Sequence, residues 1–245
     1  GLCHSDLSVL NNDWGMSQYP AILGHEVIGR VSAIGSNAKG LTVEQRVGVG
    51  WSSSSCKHCH QCMSGSHHLC PQVQFTIVGH RGGFATHIRA HWAWAVPIPD
   101  KLNSADAGPL LCGGITVFSP LAMYAKPTHR VGIIGIGGLG HMAVKFAAAY
   151  GCEVTAFTSS ASTFDDAKRF GAHHAVVSKD SAAIKKLGRS LDLLISTVNV
   201  PLDWDALIGT LAPHGRLHVV GAVLEPIPVA AFSLIMGQRS VSGSP

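Results

Sequence analysis

Four cysteines crowd into the segment CKHCHQCMSGSHHLC, at Cys56, Cys59, Cys62 and Cys70. Gaps of two, two and seven residues suit one tetrahedral zinc ion, because short gaps let neighbouring thiolates reach a single ion while the backbone turns between them. Four protein ligands close such a site, so a structural zinc is expected, with no position left for water or substrate. A disulfide lobe and an iron–sulfur site are the alternatives, and their usual ligand spacings differ. His58, His60, His67 and His68 nearby read as solvated loop residues rather than ligands.

A second pattern, Gly135-x-Gly137-x-x-Gly140, follows the apolar run VGIIG and opens a helix-like segment. The first glycine permits a tight turn, the second lets a pyrophosphate approach the backbone, and the third lets helix pack closely on strand. The helix N-terminus adds positive partial charge. Gly135, Gly137, Gly138, Leu139 and Gly140 are therefore candidate dinucleotide contacts, the alternative being a glycine-rich turn in a domain that binds nothing. The next apolar run, CEVTAFTSS, ends in Thr158, Ser159 and Ser160. An Asp or Glu there would bond a ribose 2′-hydroxyl and repel a 2′-phosphate, so three hydroxyls without a carboxylate favour NADP(H) over NAD(H). The competing reading is that these hydroxyls only cap the following helix.

The opening segment GLCHSDLSVL sets Cys3, His4, Ser5 and Asp6 side by side. Cys3, with His25 and Cys112, would supply two sulfurs and one imidazole, three ligands that leave a zinc ion one open position for chemistry. Spacing alone does not single these three out, because they are scattered over most of the first half of the chain.

The elements that must position these groups divide in two. Residues 1–115 are rich in Gly, Ser, His and Pro with short alternating or β-branched runs such as EVIGRVSAIG, which predicts an irregular β-rich domain with long loops. Residues 116–245 alternate apolar strand and helix: RVGIIGIG, CEVTAFTSS, HAVVS, LDLLIST and RLHVVGAV, separated by helical segments. Strands this apolar are buried on both faces, which implies an α/β domain with a doubly wound parallel sheet. No internal repeat or low-complexity tract is visible.

Bulk properties exclude several partners. The 245 residues are 46% hydrophobic and only 13% charged, and the net charge of +4 includes no long run of like charges, so nucleic acid is not an expected partner. The most membrane-like stretch, Val131 to Gly151, is interrupted by glycines in its first half and by His141 and Lys145 in its second, which argues against a membrane span. Seven cysteines, with no signal-like series at the start, favour metal ligation in a reducing, cytoplasmic compartment. A start at Gly1 suggests that upstream residues are missing.

The segment G24-H25-E26-x2-G29-x5-G35-x2-A38, the four-cysteine lobe, PLLCGGIT and GIGGLGH, in that order, resemble the zinc-dependent medium-chain dehydrogenase/reductase (alcohol dehydrogenase) family, specifically its cinnamyl alcohol dehydrogenase branch. CHSDLSVLNNDWGMSQYP, STVNVPLDW and RSVSGS are most similar to bacterial NADPH-dependent aldehyde reductases of broad range. The resemblance covers essentially the whole chain. It implies a GroES-like catalytic domain followed by a Rossmann domain, both truncated here, with the last dinucleotide-domain strand absent, and a homodimer for the complete chain. It also implies two zinc ions, NADP(H), and an aldehyde or alcohol as substrate.

The same resemblance implies roles. Cys3, His25 and Cys112 hold the catalytic zinc, Asp6 fixes the His25 ring, and Glu26 enters the coordination sphere during ligand exchange. Ser5 passes a proton to or from the substrate oxygen, and His4 faces the cofactor pyrophosphate. Thr116 meets the nicotinamide ring, and Gly221, Ala222 and Val223 lie beside its carboxamide. Trp14 and Trp51 are candidate pocket walls or ordinary packing. Ser8 departs from the pattern, since many relatives have a histidine there that continues the proton relay. The expected activity is aldehyde reduction; a non-catalytic zinc- and dinucleotide-binding sensor is the alternative.

Overall fold

A computed structural model describes residues 1–245, which divide into two compact units, Gly1–Gly113 and Gly114–Pro245. The division falls where a single helix, Gly113–Tyr124, takes over from the irregular chain before it.

The first unit begins with helix α1 (His4–Asn11), followed by strands β1 (Val27–Arg30), β2 (Arg46–Val49) and β3 (Ser52–Ser54). A one-turn helix α2 (His60–Met63), strands β4 (Gln74–Phe75) and β5 (Val96–Pro97), and a short helix α3 (Ser104–Ala107) complete it. β1, β2 and β5 form an antiparallel sheet in that order, and β3 pairs with β4. Strands this short leave most backbone in loops. The interior is correspondingly polar: Asp6, Ser8, His25, Glu26, Ser52, Ser53, Ser55 and Thr76 are buried beside Val9, Val47, Val49 and Ile77.

The second unit contains α4 (Gly113–Tyr124), β6 (Arg130–Ile134), α5 (Gly138–Ala149), β7 (Glu153–Thr158), α6 (Phe164–Arg169) and β8 (His174–Val177). It continues through α7 (Ser181–Lys186), β9 (Leu191–Ser196), α8 (Trp204–Gly209), β10 (Leu211–Val219), α9 (Ala231–Ile235) and β11 (Ser240–Gly243). One parallel sheet in the order β11-β10-β9-β6-β7-β8 runs through it. Chain order reverses between β6 and β9, and a ligand crevice opens at such a reversal, beyond the carboxyl ends of the strands.

Two apolar clusters flank this sheet. One joins Ile133, Val154 and Leu193 to Val117 and Leu121 of α4 and to Ala143, Val144 and Ala147 of α5. The other joins Ile134, Phe157 and Leu194 to Trp204, Leu207 and Ile208 of α8. Cys152 is 2% exposed and belongs to the first cluster, a core cysteine as its sequence setting suggests.

Two features correct the expected strand pattern. Ser240–Gly243 forms a sixth parallel strand, although the sequence reading places the last strand of this domain outside the chain. At the sheet edge its half-exposed, serine-rich sequence lacks the apolar run that marks the inner strands. β10 begins at Leu211 inside LAPHG, and its register with β9 shifts between Leu211 and Arg216.

Candidate metal and dinucleotide sites

Helix α1 starts at the first candidate ligand. Cys3 is its N-cap residue, and the Cys3 N–H donates to Asp6 Oδ2 at 3.1 Å, closing the first turn. The other Asp6 oxygen accepts from Gly24 N–H and lies against His25 Nδ1, both at 2.9 Å. One carboxylate therefore joins the start of α1 to the Gly24–His25 turn. Gly24 has φ +94, and a side chain there would meet Phe84, so the residue before His25 must be glycine.

Asp6 also fixes the imidazole. In the neutral ring, with Nδ1–H donated to the carboxylate, Nε2 keeps its lone pair; it points at Cys112 Sγ, 3.2 Å away. Cys112 Sγ lies 3.8 Å from Cys3 Sγ. Two thiolates on a tetrahedral zinc, each at about 2.3 Å, stand about 3.8 Å apart. The Cys3, His25 and Cys112 donor set thus has the composition and spacing of a zinc site, and Glu26 contributes a fourth donor atom within 4.8 Å of the others. Glu26 Oε2 is buried with no hydrogen-bond partner, and the Gly1 ammonium is the charge that faces it, at 3.9 Å.

The protons in this cluster are strongly redistributed. The Cys3 thiol is pulled down to about 3, first by its hydrogen bond with Cys112, against its own burial, and then by His25. The same bond, with burial and the Cys3 charge, pushes the Cys112 thiol up. Burial opposes charge on His25, but its bonds to Asp6 and Cys3 outweigh that and raise it to about 9. Burial and the Cys3 charge raise Glu26. Thiolates and a neutral imidazole are the ligating forms, so filling the site releases protons.

The four-cysteine lobe is a second such set. Cys56 and Cys62 Sγ are 3.9 Å apart and Cys59 and Cys70 Sγ 3.8 Å, with all four sulfurs within 4.8 Å of one another. None of the seven cysteines forms a disulfide, which removes the disulfide alternative for this conformation. Backbone N–H groups of Cys59 and Gln72 donate to Cys56 and Cys70 Sγ, each at 3.3 Å, an arrangement that stabilises thiolate charge. His67 Nδ1 lies 3.2 Å from Ser55 Oγ, and His58 Nδ1 lies 2.8 Å from the Cys56 carbonyl oxygen. No histidine joins the sulfur cluster.

In the second unit the glycine turn is shaped to hold a phosphate. Gly135 has φ +85, and a Cβ on Gly140 would overlap the Gly135 carbonyl oxygen. Around Gly137 and Gly138, by contrast, nothing lies within 4 Å of an added Cβ. Two glycines are therefore demanded by the protein's own packing, while the other two leave space at the N-terminus of α5. That is the division expected if a pyrophosphate takes that space. Thr197 Oγ1, at the carboxyl end of β9, lies 2.9 Å from both the Ile134 and Gly135 carbonyl oxygens and buttresses the turn. Sequence reasoning misses Thr197, because nothing local marks a residue whose partners lie 62 and 63 positions away.

Residues 1–100 match the family model for the alcohol dehydrogenase GroES-like domain, and residues 138–245 match that for zinc-binding dehydrogenases. An aldehyde reductase of Synechocystis is 53% identical over the full chain, which covers 73% of that relative. Cinnamyl alcohol dehydrogenase 7 of Arabidopsis thaliana is 38% identical, with full coverage of this chain and 71% of that one. This chain belongs to the zinc-dependent alcohol dehydrogenase family, in its cinnamyl alcohol dehydrogenase branch. A solved cinnamyl alcohol dehydrogenase from Sorghum bicolor matches with a TM-score of 0.95 at 38% identity, over 99% of this chain and 72% of that one. The Helicobacter pylori structure described as CAD complexed with NADP(H) matches at 0.89 and 32%, over 100% and 73%.

The remaining candidate residues of this dehydrogenase fall in several settings. Ser5 Oγ lies 3.6 Å from Cys3 Sγ, at the metal cluster, whereas His4 is exposed on the first turn of α1. Trp51 packs edge-on against the His25 ring, centroids 5.1 Å apart, and is itself met by Trp14 at 6.2 Å and Phe75 at 5.5 Å. Both tryptophans therefore stand beside the metal cluster, and Phe75 is an addition the sequence did not reveal. Thr116 is half-buried on α4. Gly221 follows the carboxyl end of β10, its N–H bonded to Ser196 O at 3.1 Å, and a side chain there would strike the Val198 backbone. Ala222 is exposed and Val223 half-buried just beyond it.

Thr158, Ser159 and Ser160 end β7 with different duties. Thr158 is buried and its hydroxyl donates to the Ser160 carbonyl oxygen at 2.9 Å. Ser160 Oγ accepts from Ser162 N–H at 3.3 Å, so the capping reading holds for Ser160. The exposed Ser159 hydroxyl has no protein partner.

Proposed function

We infer that this chain is an NADPH-dependent aldehyde reductase, transferring hydride reversibly between NADPH and an aldehyde or primary alcohol. The observation that carries this reading is the convergence of Cys3, His25 and Cys112 at zinc-ligand spacing, with the Glu26 carboxylate beside them. Zinc bound there supplies a Lewis acid that polarises the substrate carbonyl. NADPH supplies the hydride.

The chain's own groups do the rest. Asp6 keeps His25 in the tautomer that presents Nε2. Glu26, buried with its Oε2 free of hydrogen bonds and the Gly1 ammonium 3.9 Å away, would offer a further carboxylate donor to a bound zinc. The Ser5 hydroxyl donates a proton to the substrate oxygen as negative charge develops there. Ser8, buried on the same helix, does not titrate near neutral pH, so solvent rather than a side-chain base replenishes the Ser5 proton. Trp51 and Trp14 form an aromatic wall that favours apolar aldehydes.

The alternative, a zinc- and dinucleotide-binding sensor without turnover, has no observation in its favour. The test is NADPH oxidation with aldehydes of graded length and aromaticity, alongside zinc analysis, before and after chelation. Two zinc ions per chain and turnover lost on chelation are expected. Bound zinc and bound NADPH with no turnover would support the sensor instead.

No single helix is long and apolar enough to cross a membrane. The free thiols fit a reducing, cytoplasmic setting. A homodimer fits the exposed Phe232, Ile235, Met236 and Val241 around the edge strand β11, and sedimentation measures it directly.

A further inference from the structure

If NADPH is the cofactor, its 2′-phosphate must meet positive charge near the end of β7, where the adenosine ribose of a doubly wound domain lies. The segment after β7, from Thr158 to Thr163, offers hydroxyls but no cation, and Asp165 and Asp166 follow on the first turn of α6. Its nearest cations along the chain, Lys168 and Arg169, sit on the last turn of α6, about 14 Å along the helical path from Ser160. Arg169 is also paired with Asp166.

The neighbouring strand supplies what this segment lacks. β8 runs parallel to β7 with Thr158 opposite Val177, and the next residue, Ser178, donates its N–H to the Thr158 carbonyl oxygen at 2.7 Å. Lys179 therefore leaves the sheet at the same carboxyl edge as Thr158, one strand away. Neighbouring strands are about 4.8 Å apart, a gap that the four-carbon stem of a lysine crosses easily. Lys179 is exposed and takes part in none of the ion pairs of the chain. The adjacent Asp180 forms no ion pair with it and is turned to the following helix, its Oδ1 accepting from Ala183 N–H at 3.0 Å as the N-cap of α7.

We propose that Lys179, reaching from the end of β8 across to the end of β7, is the cation that binds the 2′-phosphate and sets the preference for NADPH over NADH. The unpartnered Ser159 hydroxyl donates to the same phosphate. The proposal rests on the NADPH reading above, and its test separates the two.

Binding is measured on the zinc-loaded protein by calorimetry with NADPH, NADH, adenosine 2′,5′-bisphosphate and AMP, so that no turnover is needed. The expected result is that Lys179→Ala weakens NADPH and the bisphosphate about tenfold, the scale of losing one hydrogen bond to a charged group, and leaves NADH and AMP unchanged. Lys179→Arg should restore most of that affinity, and Lys168→Ala should change none of it. A wild-type protein that favours NADPH and keeps its full preference in Lys179→Ala overturns the assignment of Lys179 while leaving the cofactor reading intact. Equal loss for all four ligands also overturns it, because the side chain would then be supporting the fold. A wild-type protein that binds NADH as tightly as NADPH overturns the cofactor reading, and the proposal falls with it.

Discussion

Asp6 holds three parts of the metal cluster at once, bonding the Cys3 backbone, the Gly24 backbone and the His25 ring. Asp6→Asn keeps the size of the side chain but removes its charge and one acceptor, which frees the imidazole to turn. Loss of such a partner lowers metal affinity by about 10- to 100-fold. In competition with a chromogenic chelator, one of two zinc equivalents should leave the variant more readily and the other should leave as in wild type. Equal retention of both would show that Asp6 does not position a ligand. How far residues were legible in sequence follows from the same geometry. Cys56, Cys59, Cys62 and Cys70 could be read directly, because a closed site made from one loop leaves its spacing in the chain. Cys3 and Cys112 are 109 positions apart and His25 and Cys112 are 87, so only their match to a known pattern marks them. Thr197 and Phe75 left no mark at all, since each acts through a contact made only on folding.

The turn between β6 and α5 separates folding from binding within one element. Gly137→Ala adds a methyl group into open space, whereas Gly140→Ala drives one into the Gly135 carbonyl. Gly140→Ala should therefore destabilise the protein by about 1–3 kcal/mol in denaturant titration. Gly137→Ala should keep its stability within about 0.5 kcal/mol while losing NADPH affinity, as calorimetry would show. Unchanged NADPH affinity in Gly137→Ala would remove the pyrophosphate from that turn. At the opposite end of the sheet, Asp192 of β9 accepts from the Arg130 backbone at 2.8 Å and from its guanidinium at 2.9 and 3.1 Å. Burial works against the Asp192 charge, but these bonds outweigh it and hold the carboxyl below its ordinary value. A depressed carboxyl stabilises the fold above its unfolded value, about pH 3.9, and that contribution disappears as pH falls through the folded value. Asp192→Asn should cost about 1 kcal/mol at pH 7 and progressively less below about pH 4, when urea midpoints are compared at both pH values. The inner strands were legible as elements because burial on both faces requires continuous apolar runs. β11 and the strands of the first unit were not, being too short or too polar to stand out from loops.

Across the whole chain, apolar burial is unevenly shared. Both large apolar clusters lie in the second unit, whereas the first buries two carboxylates, an imidazole and several hydroxyls beside a handful of aliphatic side chains. A unit with so small an apolar core needs other ties, and its two clusters of metal-ligating side chains are placed to supply them: Cys56 to Cys70 closes one loop, while Cys3, His25 and Cys112 join its first and last segments. Binding a structural zinc is worth about 10 kcal/mol in small domains that lack a core of their own, which is comparable with the whole stability of an ordinary domain. Stripping both metals should therefore loosen the first unit and spare the second. Amide hydrogen exchange reads the two separately. After treatment with a chelator strong enough to remove both zinc ions, protection should fall throughout residues 1–113, including the paired amides of β1 and β2, and should persist in β6, β7, β9 and β10. Mild chelation that removes only the more labile ion should expose α1 and the Gly24–His25 turn first, because those segments meet at Asp6 and His25, and should leave Cys56 to Cys70 protected. Full protection of residues 1–113 in metal-free protein would mean that the hydrogen bonds of its short sheets suffice, and that the cysteines contribute chemistry without contributing to the fold.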